Sequence, residues 1–239
     1  MTNHIALDSN SHRDLRIRAG ASAELGDQVM ACLTVPSEFR RVQNEFPILF
    51  RRDLDSGRFS ALALFGFENG ENLFLEEGRW DARYRPLALA IQPFLVGRAK
   101  GEGSSEVHID LDHSRVAQAG KEGLRAFDEH GRPTPYLESI MAGLDELDQG
   151  HRSSADFFAA LERYELLEPF SFDVELGDGA SHRLVGYHLI DEEKLHALEP
   201  GALAELHSAG HLMPVFMALA SVSNLAALVE RKNKRLGRG

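Results

Sequence analysis

The chain has 239 residues, 43% of them hydrophobic and 26% charged, a balance that excludes a disordered segment and supports a folded core. Its 26 Lys and Arg against 37 Asp and Glu leave a formal charge of −11, which disfavours a nonspecific nucleic-acid surface while leaving room for a local basic patch. Cys32 is the single cysteine, so an intrachain disulfide and a cysteine-based zinc finger are excluded.

Residues 1–20 lack the uninterrupted apolar core of a secretory signal peptide, because Asp8, Asn10, His12, Arg13 and Asp14 fill the stretch, and a reducing cytoplasm is the expected location. Pro36 suits a first helical turn, after which Phe39, Val42 and Phe46 share one face of a short helix until Pro47 discourages it; Ile48 to Phe50 then opens a strand. From Phe59 an alternating apolar run breaks at Gly66, passes Asn69-Gly70 and resumes at Asn72-Leu73-Phe74-Leu75, which predicts a hairpin with Asn72 holding its turn. Leu87 to Val96 and Val107 to Leu111 are expected as strands, separated by a flexible glycine-rich loop over Gly97 to Ser105.

The second half turns helical. Thr134 to Leu147 and Ser153 to Leu167 are expected as two helices, with Gly150 between them and a serine cap on the second. Phe170 to Leu176 and His182 to Ile190 alternate and join through Gly177-Asp178-Gly179 as a second hairpin. Asp191 caps a helix that reaches about Leu198; Pro200-Gly201 breaks it, and Ala202 to Ser208 resumes. Leu212 to Val229 carries no formal charge and barely meets the length of a membrane span, but Pro214, Ser221, Ser223 and Asn224 interrupt it, so a buried core helix is the preferred reading. Its basic end, Arg231 to Arg235, then complements the helix dipole and reaches solvent. The expected class is α+β, a mostly antiparallel sheet packed against C-terminal helices. Residues 1–239 form one domain, or two intimate lobes over 1–132, strand-rich, and 133–239, helix-rich with the hairpin at 170–190.

His108-Ile109-Asp110 is the sharpest chemical candidate. On a strand, His-x-Asp puts both side chains on one face, as an iron site of two histidines and a carboxylate needs, with His182, His188, His207 or His211 as a third ligand. The competing reading is an exposed acidic edge strand. His207 and His211, four apart beside Glu205, would suit a metal on a helix face, but Gly210 weakens that helix. His12 near Asp14 and His151 near Ser153-Ser154 invite a hydrolase reading that adjacency alone does not carry. Trp80, Tyr84 and Phe94 are candidate partner anchors, with core packing the competing role.

His12-Arg13-Asp14-Leu15-Arg16, Val35-Pro36-Ser37-Glu38-Phe39, Phe46-Pro47-Ile48-Leu49-Phe50, the Leu64 to Trp80 block, Tyr84-Arg85-Pro86 and Gln92-Pro93-Phe94 together resemble the bacterial SapC family. The order continues through Gly123-Leu124, Gly131-Arg132-Pro133-Thr134, Gly186-Tyr187, Gly210 and Ser221. The resemblance covers nearly the whole chain and implies a cytoplasmic-type protein, named through a surface-layer locus, with no catalytic residue set to carry over. Relatives near genes for outer-membrane receptors and flavin-dependent halogenase-like proteins imply an accessory, envelope-linked role. The function expected is therefore a non-enzymatic accessory protein that binds a protein or peptide partner of the envelope, surface layer or transport machinery, without nucleic acid and without a cofactor. The rival is a metal-dependent oxygenase or hydrolase using His108 and Asp110 with iron or another divalent metal.

Overall fold

The computed structural model describes residues 3–98, 105–117, 122–177, 179 and 181–237. Most of the loop expected over Gly97 to Ser105, and Asp178 of the second hairpin, lie outside the described residues. In chain order the elements begin with β1 (His4–Ala6), β2 (Arg16–Ile17), a 3-10 turn (Ala23–Leu25), β3 (Ala31–Thr34), a 3-10 turn (Pro36–Glu38) and α1 (Phe39–Val42). They continue with β4 (Ile48–Arg52), β5 (Phe59–Leu64), β6 (Leu75–Glu76), β7 (Arg79–Trp80), α2 (Leu87–Ala90), β8 (Phe94–Arg98), β9 (Ser105–Asp110), β10 (Val116–Ala117) and β11 (Leu124–Arg125). The second half contains α3 (Pro135–Arg163), β12 (Leu167–Glu175), β13 (Ser181–Ile190), α4 (Glu192–His196), α5 (Pro200–Ser208), α6 (Leu212–Ser221) and α7 (Asn224–Leu236). The paired strands among the described residues are antiparallel and the C-terminal part is helical, so the class is α+β.

Two compact units interleave along the chain. The first comprises Met1–Gln28, Leu75–Asp81 and Leu87–Gln149; the second comprises Val29–Phe74, Ala82–Pro86 and Gly150–Gly239.

In the first unit β9 lies between β1 and β8, β2 lies between β10 and β11, and β6 pairs with β7. Ile109 and Phe94 meet across β9 and β8 and are buried with Ile17, Ile91 and Phe127. Leu137, Ile140 and Leu144, at helical spacing on the first half of α3, close this core. The strand expected over Leu87 to Val96 divides instead into α2 and β8. Leu-Ala-Leu-Ala is a good helix-forming run, and the Gln92–Pro93 bond, which is cis, stands between the two. Asp27 and Arg115 form a bidentate pair at 2.7 and 2.6 Å with both side chains almost wholly buried, and Arg115 Nη1 donates to the carbonyls of Arg18 and Gly20. The buried carboxylate also accepts from the Ser22 amide.

The second unit is built on a sheet of order β12-β13-β4-β5-β3. β5 pairs on one side with β4 and on the other with β3, so the hairpin expected to return through Asn69-Gly70 has no free edge to pair with. Residues 65–74 form a loop in which Leu73 N donates to Phe65 O, and Asn72 Oδ1 accepts from Phe74 N to hold the local turn. The tight hairpin of this block is β6–β7 in the first unit, where Glu77 and Gly78 both have positive φ, as a two-residue primed turn requires. Phe39, Phe46, Phe50, Phe65, Phe74, Phe157 and Phe158 fill the second core with mostly edge-to-face ring contacts. β12 and β13 form the expected hairpin, with a bulge between Phe170 and Phe172.

The two helices expected on either side of Gly150 are one helix of 29 residues, α3. A Cβ at Gly150 would lie 2.6 Å from Val35 Cγ2 and 2.7 Å from Ser37 Oγ. This glycine therefore provides close approach inside a helix rather than a break. Ser153 and Ser154 donate back to the carbonyls of Gly150 and His151 instead of capping a new start. Asp191 does cap α4, accepting from Lys194 N at 2.9 Å.

By length and composition, Leu212–Leu236 is apolar enough to cross a membrane, with a mean hydropathy of 1.9 in its most apolar window and 28% of that window buried. It divides into α6 and α7. α6 buries Pro214, Val215, Ala218 and Ser221, and Ser221 Oγ accepts from Ile48 N at the start of β4. Phe216 is 53% exposed, because Pro214, Val215, Ala218 and Ser221 take the inward face. The basic end of α7 is divided: Lys234 and Arg235 are exposed, whereas Lys232 is buried and Arg231 half-buried. Lys232 donates to Glu68 at 2.7 Å and Glu71 at 2.5 Å, Arg231 covers the Phe74 ring, and Arg235 donates to Asn72 O.

Candidate interaction site

The most informative surface grows from a buried carboxylate in the second unit. Pro36 starts a helical turn, and Phe39 and Val42 drive α1 into the core, which leaves Arg40 exposed and Arg41 half-buried. The same geometry buries Glu38 completely. Its two oxygens accept hydrogen bonds from Thr34 Oγ1 at 2.8 Å and from the Tyr84 hydroxyl at 2.6 Å. Nearby, burial and the Glu38 carboxylate push the Cys32 thiol well above its ordinary pKa, with Arg85 acting in the opposite direction.

Tyr84 is thus held from behind by Glu38 while Arg41 lies 5.0 Å over its ring. Glu45 accepts the Arg83 amide with both carboxylate oxygens, at 2.8 and 2.7 Å. Arg41, Asn44, Glu45, Arg83 and Tyr84 line an open, mostly polar cleft of about 720 Å³. The arrangement sets the exposed Arg83 beside an aromatic ring that is already fixed, while the Asn44 side chain is engaged by Gln43 and by the Arg40 carbonyl.

A second, smaller cleft of about 280 Å³ lies between the end of α3 and the α5–α6 connection, with Asp156, Arg163, Tyr164, Glu205 and His211 around an alanine-rich floor. Glu205 is held there by the Tyr164 hydroxyl at 2.5 Å and Arg163 at 3.0 Å. His211 packs edge-on against Phe157, and burial lowers its pKa against the opposing effect of Asp156.

The family model for SapC matches residues 7–228 of this chain, nearly its whole length. The chain belongs to the SapC family. No curated protein and no solved structure matches it. The match takes in both segments that build the Tyr84 cleft of this SapC chain and stops within α7, short of Lys232.

Each residue singled out by sequence has a definite place in the SapC chain. His108 and Asp110 do share a face of β9, next to β1. There His108 lies 3.7 Å from Glu106, and Asp110 lies 3.6 Å from His4 while accepting from the amides of Asn3 and Asp112. Among the described residues no three His, Cys, Asp or Glu side chains gather at metal-binding distance. Gly210, with φ of 75°, ends α5 between His207 and His211, so those two do not share a helix face. Asp14 pairs with Arg125, and His12 turns to Asp8.

Of the aromatic candidates, Phe94 is 1% exposed and packs against Tyr136, so it is a core residue of the first unit and cannot present a surface. Trp80, partly exposed, stands opposite Leu75 across the β6–β7 ladder. Tyr84 lines a cleft. Sequence reasoning missed its companions Arg41 and Arg83. The available signal was arginine density in an acidic chain, Arg40-Arg41 and then Arg83-Tyr84-Arg85.

Proposed function

We propose that this SapC chain is an accessory protein that acts by binding a protein or peptide partner, in the cytoplasm, in association with envelope, surface-layer or transport components. The observation that carries the reading is the cleft at Tyr84, an open recognition surface whose aromatic ring is fixed by a fully buried carboxylate before any partner arrives. Such preorganisation lowers the ordering cost of binding. A fold alone does not name a function, and the envelope association rests on what the family resemblance implies.

The test is site-directed photocrosslinking in native cells with the crosslinker at position 44, on the rim of the cleft, in chains with and without Tyr84→Ala. The expected result is one specific adduct that Tyr84→Ala diminishes at least fivefold. Recovery of no specific adduct, or of an adduct indifferent to Tyr84, would count against partner binding at this surface.

A further inference from the structure

We infer that the smaller cleft, at the end of α3, binds a primary alkylammonium group, whose charge meets Asp156 and whose carbon stem lies on the alanine floor. This site is separate from the Tyr84 cleft and does not depend on partner binding there. Asp156, Ala159, Ala160 and Arg163 recur at helical spacing and share one face of α3. Asp156 and Arg163 mark the ends of that face, two turns or about 10 Å apart.

The two ends differ in what is already engaged. At one, Glu205 accepts from the Tyr164 hydroxyl and from Arg163, and the same guanidinium lies 5.2 Å over the Tyr164 ring, so these three groups satisfy one another. At the other, the exposed Asp156 carboxylate makes no hydrogen bond or ion pair among the described residues. His211 lines the same cleft and packs on Phe157; its imidazole makes no hydrogen bond among the described residues. Burial lowers its pKa, so near pH 7 the ring is neutral and keeps a nitrogen able to accept. The lining therefore holds two carboxylates against one guanidinium, and the unmatched charge is the negative one at Asp156.

Size and lining narrow the ligand. A volume of about 280 Å³ lies at the lower end of the range for small-molecule sites, so one side chain or one small amine fills it. Ala159, Ala160 and Ala209, with Leu206, form an apolar floor that a methylene stem covers and a bare cation leaves empty. A quaternary ammonium calls for an aromatic cage, but among the described residues Tyr164 is the one phenol or phenyl ring in the lining, and Arg163 already lies over it. A primary ammonium instead donates to carboxylate and imidazole together. Lysine, with its four-carbon stem, and free alkylamines share this chemistry.

The experiment is an NMR titration of the isotope-labelled full chain with pentylamine, with its uncharged counterpart pentanol, and with Nα-acetyl-lysine amide. Pentylamine is expected to bind in the millimolar range, at least fivefold more tightly than pentanol, and to shift the His211 imidazole resonances. Asp156→Asn removes the charge, and Ala159→Leu fills the floor at an exposed helical position that tolerates leucine. Each is expected to weaken pentylamine binding at least fivefold, with the fold verified by circular dichroism. Binding of both amines supports a lysine side chain carried by a polypeptide, and binding of pentylamine without the lysine derivative supports a free amine; the ammonium chemistry is the same in both.

Equal binding of pentylamine and pentanol, or no pentylamine binding at tens of millimolar, overturns the inference. Any amine is drawn weakly to a chain of formal charge −11, so Asp156→Asn is the decisive control. Wild-type affinity in that variant assigns the binding to the general surface and overturns the site, and wild-type affinity in Ala159→Leu overturns the role of the floor.

Discussion

Glu38 shows how one residue can serve both stability and recognition. A carboxylate with no exposed surface is costly unless its oxygens are satisfied, and here Thr34 and Tyr84 supply the donors. Glu38→Ala removes the acceptor, leaves two hydroxyls without it and opens a void, so a loss of about 2–4 kcal/mol is expected in urea unfolding. Glu38→Gln retains one acceptor and the volume, and should lose less. The same pair of variants separates the two roles, because Glu38→Gln should weaken capture at the cleft while the chain stays folded at 25 °C. An unchanged unfolding midpoint in Glu38→Ala would refute the structural role. None of this was legible at residue 38, because an acidic residue early in a helix reads as a favourable dipole partner. Its burial depends on Tyr84, 46 positions away.

At the scale of elements, α3 gives the sharpest contrast between local preference and tertiary demand. Replacing a helical glycine with alanine ordinarily stabilises by about 1 kcal/mol. At Gly150 the added methyl would press on Val35, a stiff β-branched side chain, so the clash outweighs the propensity gain, and Gly150→Ala should destabilise by about 1–3 kcal/mol in urea unfolding. A second element-level prediction concerns α7. Lys232→Met should cost about 1–3 kcal/mol by leaving the largely buried Glu71 unpaired, and adding Glu71→Gln should recover part of it in a double-mutant cycle.

The elements read correctly from sequence are those whose signals are local: the Pro36 turn, the strand at Ile48, the alternating hairpin after Phe170 and the Asp191 cap. Those misread were decided by distant partners. Asn69-Gly70 has the chemistry of a hairpin turn, but β5 already has neighbours on both edges. Gly150 has the chemistry of a break, but Val35 requires its small size. The cleft fell between these cases, with Tyr84 visible as an aromatic and its arginines hidden by their separation along the chain.

For the whole molecule, three histidines set the acid limb of stability. Burial is the main cause that lowers the pKa of His113, His188 and His211 below the ordinary 6.5; Arg115 assists at His113 and Arg52 at His188, while Asp156 opposes at His211. In each case the unfolded chain takes up its proton first as pH falls. Stability should therefore be highest above about pH 6.5 and decline as pH drops below it towards the lowered folded values. The urea midpoint measured from pH 7.5 to pH 5 should fall, and His211→Gln should flatten part of that fall. A midpoint that rises over the same interval would contradict the assignment.

The interleaving of the two units bears on how such a chain can be inherited. The polypeptide passes between them after residues 28, 74, 81, 86 and 149. A single recombination joint at any of these positions divides at least one unit between the two pieces, and a piece that keeps one unit whole, as after residue 28 or 149, carries part of the other with it, so neither unit could pass alone and intact to another protein.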